Sequence, residues 1–309
     1  MTRLAFVLLL AGCGASTGLR DPEPRDAGTD AAARDAAPLV DAGTDAGSDA
    51  GNDAGHDMGV DAPPPPPICI DATVQYVYLV SEENGLFSYH PPTGTLARIG
   101  TIACPTAATP YSMSVDRAGT AYVIFSDGEL FRVRVADASC TPTTYAPNQH
   151  GWQDFGMGFS ADRMDSGERL FVTESDFMGP SQGLGWIDTT SLRLTIIGPY
   201  SRMLGRSELT GTGDGQLFAF SLDTVSGSSI SEIDPSNADV LSTTHLPVGT
   251  PDSAFAFAFY GGDFFLFTSS ALGEGTPVTR YHPADGSTTV VSHLSETIVG
   301  AGVSTCAPH

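Results

Sequence analysis

Four acidic residues each lie one to three residues ahead of a short strand pattern that is crowded with small side chains: Asp154, Glu208, Asp252 and Glu296. If those strands line one channel, the four carboxylates ring its mouth. Such a ring can bind calcium through its oxygen atoms, supply the acid and base of a glycosidase, or consist of solvated loop charges. Thr109 and Pro110 interrupt it at a fifth equivalent position. The sequence leaves these three alternatives open.

No other motif with a chemical mechanism is present. The sequence lacks a nucleophile elbow, zinc-ligand spacing, a phosphate-binding loop and a dinucleotide fingerprint. His90 and His282 both precede a proline at equivalent turns, which favours a structural role in a repeat. Trp152 and Trp186 offer faces for stacking on a sugar, although Trp186 occupies an apolar strand position and is expected in the core. We therefore predict no catalytic residue and no required cofactor.

The chain carries a repeat marked by one aromatic residue in each copy. These residues are separated by 46, 49, 47 and 47 positions: Tyr76, Tyr122, Phe171, Phe218 and Phe265. A second strand pattern recurs in every copy, beginning at Leu86, Leu130, Leu184, Ile230 and Val278. Repeats of this length that contain several short strands are typical of β-propeller blades.

The stretch from Thr73 to Thr101 shows one blade clearly. Its strand patterns, separated by turns rich in Asn, Pro and Gly, are Val74–Val80, Leu86–Tyr89 and Leu96–Ile99. Each later copy has a further strand ahead of its aromatic residue: Ser112–Val115, Gly156–Phe159, Leu209–Gly213 and Phe255–Phe259. The first copy lacks this strand, and a matching pattern, Thr297–Val303, ends the chain. The sequence therefore predicts an all-β, five-bladed β-propeller, closed by antiparallel pairing of Thr297–Val303 with Val74–Val80.

Four cysteines lie in the part of the chain that carries the repeat, and their positions fit this closure. Cys69 precedes the first blade and Cys306 follows the closing strand, so a disulfide between them is expected at one end of the shared blade. By closing a loop of more than 200 residues, it would stabilise the fold by roughly 4 to 5 kcal/mol in the chain-entropy treatment. A second disulfide, between Cys104 and Cys140, is expected by elimination.

The N-terminal segment 1–13 predicts export. Arg3 precedes a short apolar run, Leu4–Leu10, which is far shorter than the roughly 20 residues that span a bilayer. The run ends in Leu10-Ala11-Gly12-Cys13, which resembles the lipobox of bacterial lipoproteins. That resemblance implies cleavage before Cys13 and lipid on its thiol; an ordinary signal peptide with an incidental cysteine is the alternative. Gly14 in place of Asp favours the outer membrane, facing the periplasm or the cell surface.

Residues 14–67 read as an extended, disordered tether. Asp recurs at every fourth position from Asp41 to Asp61, and Pro63–Pro67 closes the segment. Between Asp21 and Asp61, ten Asp and one Glu oppose two Arg, so this stretch alone has a net charge of −9, against −22 for the whole chain. Calcium binding by the repeated Asp is a weaker alternative, because the spacing lacks the ligand variety and turn residues of a formed loop. The overall charge argues against a nucleic-acid partner.

Residues 68–309 resemble the C-terminal five-bladed β-propellers of bacterial lipoproteins, whose repeats read like Leu-Tyr-x-Ile-Asp-Pro-x-Thr-Gly. We expect a monomeric propeller that contacts the membrane only through its lipid. Propellers host binding and catalysis alike. The leading hypothesis is a non-enzymatic module that binds a protein or glycan of the cell envelope, and the rival is a carbohydrate-active hydrolase at the channel mouth. Five-bladed glycosidases carry an N-terminal Asp nucleophile motif, and this sequence has no counterpart.

Overall fold

The computed structural model describes residues 69, 75–162, 167–174, 181–223, 227–249, 254–269 and 275–309. Cys13, the segment 14–67 and Asp252 therefore lie outside the described residues. Within the described ranges, no helix is long and apolar enough to cross a membrane. The described strands form five four-stranded antiparallel sheets, which are the blades of a β-propeller.

The strands are numbered in chain order and given by blade. Blade 1 contains β1 (Val77–Ser81), β2 (Gly85–His90), β3 (Thr95–Thr101) and, from the C-terminus, β20 (Ile298–Gly302). Blade 2 contains β4 (Pro110–Val115), β5 (Thr120–Phe125), β6 (Leu130–Arg134) and β7 (Cys140–Pro142). Blade 3 contains β8 (Phe155–Ala161), β9 (Glu168–Glu174), β10 (Leu184–Ile187) and β11 (Leu194–Gly198). Blade 4 contains β12 (Arg206–Gly211), β13 (Leu217–Asp223), β14 (Gly227–Ile233) and β15 (Val240–Leu246). Blade 5 contains β16 (Ala254–Tyr260), β17 (Asp263–Ser269), β18 (Thr276–His282) and β19 (Ser287–Leu294).

The two ends of the propeller chain share blade 1. Strand β20 pairs antiparallel with β1, with Leu79 opposite Ala301 and Val80 opposite Gly300. This confirms the predicted closure of the ring at five blades. The register also corrects one detail of the repeat: Tyr78, rather than Tyr76, occupies the position of Tyr122 in blade 2.

One turn recurs between the third and fourth strands of every blade. At each of these turns a residue with positive φ donates its backbone N–H to the carbonyl four residues earlier: Gly94, Ala138, Leu192, Ala238 and Gly286. In four blades an Asp side chain also accepts a backbone N–H within the turn: Asp137, Asp188, Asp234 and Asp285. These four Asp side chains therefore stabilise the recurring turn, as short acidic side chains commonly do.

Apolar side chains fill the five interfaces between adjacent blades. Five buried clusters are present among the described residues, and each lies between two neighbouring sheets. The cluster between blades 1 and 5 joins Leu79 and Tyr89 to Phe265 and Phe267. Since the interface between the first and last blades is packed like the others, the core is a continuous ring.

Glycine lets the inner strands of blades 3 and 4 approach each other closely. A Cβ atom built on Gly156 would stand 2.2 Å from the carbonyl oxygen of Ser207, and one on Gly158 would stand 2.7 Å from the carbonyl carbon of Leu209. Both neighbouring atoms belong to the backbone of β12, which cannot turn away as a side chain would. This explains the small residues in the predicted inner strands.

Both predicted disulfides are present in the structure. Cys69 bonds to Cys306 across 237 positions of sequence, and Cys104 bonds to Cys140. The first attaches the residues that follow β20 to the segment that precedes β1, and the second joins blades 1 and 2. Disulfides persist in oxidising environments, so these two indicate a non-cytoplasmic protein.

Substituting Gly156→Ala should destabilise the propeller by about 1 to 3 kcal/mol, because the added methyl group forces β8 and β12 apart. The matched control is Gly249→Ala, since a Cβ at Gly249 meets no atom within 4 Å. Urea unfolding monitored by tryptophan fluorescence gives both free energies of unfolding. Equal stability of the two variants would contradict this account of the inner ring.

Candidate functional site at the channel mouth

The five inner strands surround a central channel and begin at the same end of it. We call this the upper end; it lies where β4, β8, β12, β16 and β20 begin, and the lower end lies where they finish. Asp154 and Glu296 precede inner strands and lie at the upper end, as the sequence predicts. Glu208 differs, because β12 begins at Arg206 and contains it.

Glu208 is buried inside the channel instead of standing on a loop. Its side chain is among the buried charged groups, at 6% exposure. Ser112 Oγ of blade 2 donates a hydrogen bond of 2.6 Å to Glu208 Oε2, and the backbone N–H of Met157 in blade 3 donates another to the carboxyl group. Blades 2 and 4 are not neighbours in the ring. The bond to Ser112 therefore crosses the channel interior and links sheets that share no core cluster.

Burial changes the charge that Glu208 carries. Loss of hydration raises its pKa to about 8, although the hydrogen bond from Ser112, the charge of Arg206 and the Met157 N–H all oppose the rise. At neutral pH the carboxyl group is therefore mostly protonated. A neutral carboxyl group can donate one hydrogen bond and still accept others, which suits a closed polar interior.

Arg206 forms a second connection across the upper end. Its Nε donates a hydrogen bond of 3.2 Å to the Tyr111 hydroxyl of blade 2. The guanidinium carbon lies 5.3 Å from the centre of the Tyr111 ring and 5.1 Å from that of Phe255 in blade 5. Cation–π contacts of this kind are stronger when the guanidinium is partly removed from water. Arg206 thus fills space at the mouth and balances nearby acidic groups.

The other described acids of the predicted ring are only partly accessible. Burial raises the pKa of Asp154; the charge of Arg206 opposes this rise, and the charge of Asp127 adds to it. Asp154 Oδ1 and Glu296 Oε2 are buried and have no hydrogen-bond partner among the described residues. No group of three or more His, Cys, Asp or Glu side chains in the described ranges could hold a metal ion. Asp252 is not described, so a calcium-binding ring of four acids stays a prediction.

The C-terminal tail lies across the lower end of the channel. Thr305 Oγ1 accepts a hydrogen bond of 2.7 Å from Arg117 Nε and donates one of 2.7 Å to Glu168 Oε2. Gly261 N–H of blade 5 donates to the carbonyl of Pro308 at 2.7 Å. The tail therefore contacts blades 2, 3 and 5 after it leaves β20 in blade 1. Side chains and tail together occupy both ends of the channel.

The tryptophan and histidine residues singled out in the sequence take part in packing and in local polar contacts. Trp152 is 2% exposed and packs in the core between blades 2 and 3, so it offers no face to a sugar. Trp186 is partly buried beneath the guanidinium of Arg169, whose central carbon lies 5.2 Å from the ring centre. His90 bonds to Thr93 Oγ1 at 2.8 Å, and His282 contacts Asp263, both at the end of a third strand. These contacts agree with the predicted role of the histidines in the repeat.

Two surface cavities were not predicted from the sequence. One, of about 300 Å³, lies between blades 3 and 4 and is lined by Asp162, Arg169 and Asp234 among others. There the guanidinium of Arg169 is already paired with Asp162 at 2.6 Å. The second, of about 220 Å³, lies between the segment 202–205 and the sheet of blade 4. The sequence signal for it is the polar residues at alternate positions, Ser229 and Ser231 in β14 and Thr243 and His245 in β15, which indicate a polar sheet face.

The fold and disulfides define a five-bladed β-propeller of an oxidising compartment. The sequence matches no family model and no curated protein. Similar solved structures include a nidogen/laminin complex, with 10% identity and a TM-score of 0.49, covering 74% of this chain and 97% of that chain. The extracellular domain of a putative hybrid two-component system from Bacteroides thetaiotaomicron has 17% identity and a TM-score of 0.37, covering 74% and 29%. Hydrazine synthase of Kuenenia stuttgartiensis has 14% identity and a TM-score of 0.41, covering 79% and 72%. At such low similarity, these proteins assign no function to this chain.

Glu208→Gln should change how stability depends on pH. The folded-state pKa of about 8 lies above the ordinary value of 4.5, so the wild-type chain gains stability from this group below pH 4.5 and loses it as the pH rises towards 8. One proton contributes a slope of at most about 1.4 kcal/mol per pH unit. Glutamine keeps the shape but does not titrate, so its unfolding free energy should fall less between pH 5 and pH 8. Glu232→Gln, on an outer part of the same blade, is the control. Parallel pH profiles for wild type and Glu208→Gln would contradict the buried, neutral carboxyl group.

Proposed function

We propose that this protein is a non-enzymatic binding module, held at the cell envelope by lipid on Cys13. The observation that carries the proposal is the occupied channel, where a propeller enzyme would need an open site. Glu208 and Arg206 cross its upper end, and the C-terminal tail lies across its lower end. A ligand would therefore bind at the surface of the blades and not in the channel.

The hydrolase alternative is disfavoured by the state of its best carboxyl group. Glycosidases need two carboxyl groups that both reach the scissile bond. Glu208 would have to leave Ser112 and the Met157 N–H before it touched a substrate. That rearrangement would expose a buried hydrogen-bond network and lose its stabilisation.

Export and lipidation explain how a small acidic propeller would act at an envelope. The two disulfides support an oxidising location. An acylated Cys13 followed by a tether of 54 residues (14–67) would keep the propeller near the membrane yet let it search a volume tens of ångströms wide. Binding by such a module gains from a high local concentration of envelope ligands.

Replacing Cys13→Ser should move the protein from the membrane fraction to the soluble fraction of the producing cell. The lipid is the only proposed membrane contact, so a chain without it has nothing to hold it in the membrane fraction. Fractionation and immunoblotting of wild type, Cys13→Ser and the control Ser16→Ala provide the test. Membrane retention of Cys13→Ser equal to that of wild type would overturn the anchoring proposal.

The binding role is tested with the exported Cys13→Ser chain immobilised on beads. Solubilised envelope glycans and proteins should be retained by the folded chain and not by the same chain after reduction and denaturation. Release of new reducing ends from the glycans is measured in parallel. Retention without release supports a binding module, whereas sustained release of sugar would show a hydrolase, and no retention would overturn the binding role.

A further inference from the structure

The second surface cavity has a lining unlike the rest of this acidic molecule. Its lining contains Arg202, Met203, Ser221, Ser229, Thr243 and His245, and none of its described lining residues is acidic. The chain as a whole has a net charge of −22. A pocket with one guanidinium, one imidazole and several hydroxyl groups is therefore a local exception that suits an anionic, hydroxyl-bearing ligand.

The floor of this pocket is a row of polar residues that crosses blade 4 from inside to outside. In register, Ser207 stands opposite Ser221, Ser221 opposite Ser229, and Ser229 opposite His245. Side chains opposite each other in neighbouring strands lie on the same face of a sheet. The same face carries Ser231 and Thr243, whose hydroxyl groups lie 2.9 Å apart. The fold thus gathers hydroxyl groups from four strands on one surface.

The hydrogen bonds within the row leave capacity for a ligand. Ser207 Oγ donates to the Gly205 carbonyl at 2.7 Å, so in its 2.7 Å contact with Ser221 the donor is Ser221. Ser221 then keeps lone pairs that can accept. Ser229 is 8% exposed and lines the pocket. A serine hydroxyl both donates and accepts, as does each hydroxyl group of a sugar.

The segment that forms the rim is held in place by the surrounding structure. Val240 N–H donates to Ser201 Oγ at 2.9 Å, and the Leu204 carbonyl accepts from Ser181 N–H at 3.0 Å. Leu204 is buried in the core between blades 3 and 4. Between these two fixed points Arg202 and Met203 remain exposed, Met203 at 79%. The rim is therefore preorganised, which lowers the entropic cost of binding.

We propose that this pocket binds an acidic monosaccharide unit, with Arg202 on its carboxylate and the row of hydroxyl groups on its hydroxyls. Arginine matches a carboxylate with two parallel N–H donors. The flexible Met203 thioether covers the apolar face of the ring. The cavity of about 220 Å³ holds about seven water volumes, which is the size of one sugar unit rather than of a long chain. This inference deepens the proposed binding role by naming its ligand class and its pocket.

The test compares glucuronate with glucose, which differ only at C6, where glucuronate has a carboxylate and glucose has a hydroxymethyl group. Dissociation constants are measured by saturation-transfer NMR for the Cys13→Ser chain and for further variants made in it. Glucuronate should bind about tenfold or more tightly than glucose, since a hydrogen bond to a charged group is stronger than one between neutral groups. Arg202→Gln should erase that preference, whereas Ser229→Ala should weaken both sugars to a similar extent.

Two matched controls accompany these variants. Arg193→Gln removes an exposed arginine from blade 3, and Ser242→Ala removes an exposed hydroxyl group from the opposite face of β15; neither should change binding of either sugar. A preference that survives Arg202→Gln, or no measurable binding of glucuronate, would overturn the inference. Inorganic phosphate is the third probe. If phosphate binds as tightly as glucuronate and Ser229→Ala leaves both dissociation constants unchanged, the assignment to a sugar is overturned.

The two proposals fail in different ways. If the envelope fraction is retained by the wild-type pocket and by Arg202→Gln alike, the binding role stands and this pocket is not its site. If glucuronate binds but no envelope component is retained, the pocket stands and the proposed role at the envelope fails.

Discussion

Backbone hydrogen bonds between β1 and β20 close the ring, and the interfaces of blade 1 with its two neighbours depend on that closure. Without β20, blade 1 would expose a strand edge and the cluster between blades 1 and 5 would lose Ile298 and Ala301. The pairing also determines where the C-terminal tail goes, because residues after Gly302 emerge at the lower end of the channel. The tail is held there by Thr305 and by the disulfide of Cys306. Closure of the ring and occupation of the channel are therefore consequences of one strand pairing.

Polar groups inside the channel link blades that have no apolar contact. Adjacent blades are joined by the five clusters, whereas blades 2 and 4 are joined through Ser112 and Glu208 and through Tyr111 and Arg206. A buried carboxyl group costs free energy unless its charge is removed or its oxygens are bonded, and Glu208 meets both conditions. Glu208, one of the four acids that the sequence placed at the channel mouth, is thus part of the packing inside the channel. Under the proposed binding role, recognition falls to the outer surface of the blades.

Blade 4 shows how a repeat can differ without changing the fold. Where blade 5 presents Phe255, Phe257 and Phe264 to its interface, the upper part of blade 4 that lies beneath the segment 202–205 presents hydroxyl groups. Those positions contribute little to the apolar core, because Leu204 and Leu209 fill the adjacent cluster. A polar face can therefore be kept at small cost to stability, and it is matched by an arginine on the covering segment. Such a local exception in an acidic protein is where we expect a ligand.

The sequence by itself determined the number of blades, the strand that closes the ring and both cysteine pairs. These follow from local signals, since alternation, turn residues and spacing are set along the chain and repeat with it. It did not determine the register of the first blade, where Tyr78 and not Tyr76 is the repeat position. Nor did it show that Leu192 and Ala238 adopt positive φ at the recurring turn, or that Glu208 lies within β12 beside Ser112. Only the tertiary structure decided these points and placed Arg202 over the hydroxyl groups of blade 4. The physical reason is that burial, protonation and the lining of a pocket depend on which distant segments of the chain come into contact. Those contacts are complete only when all five blades have closed into one ring.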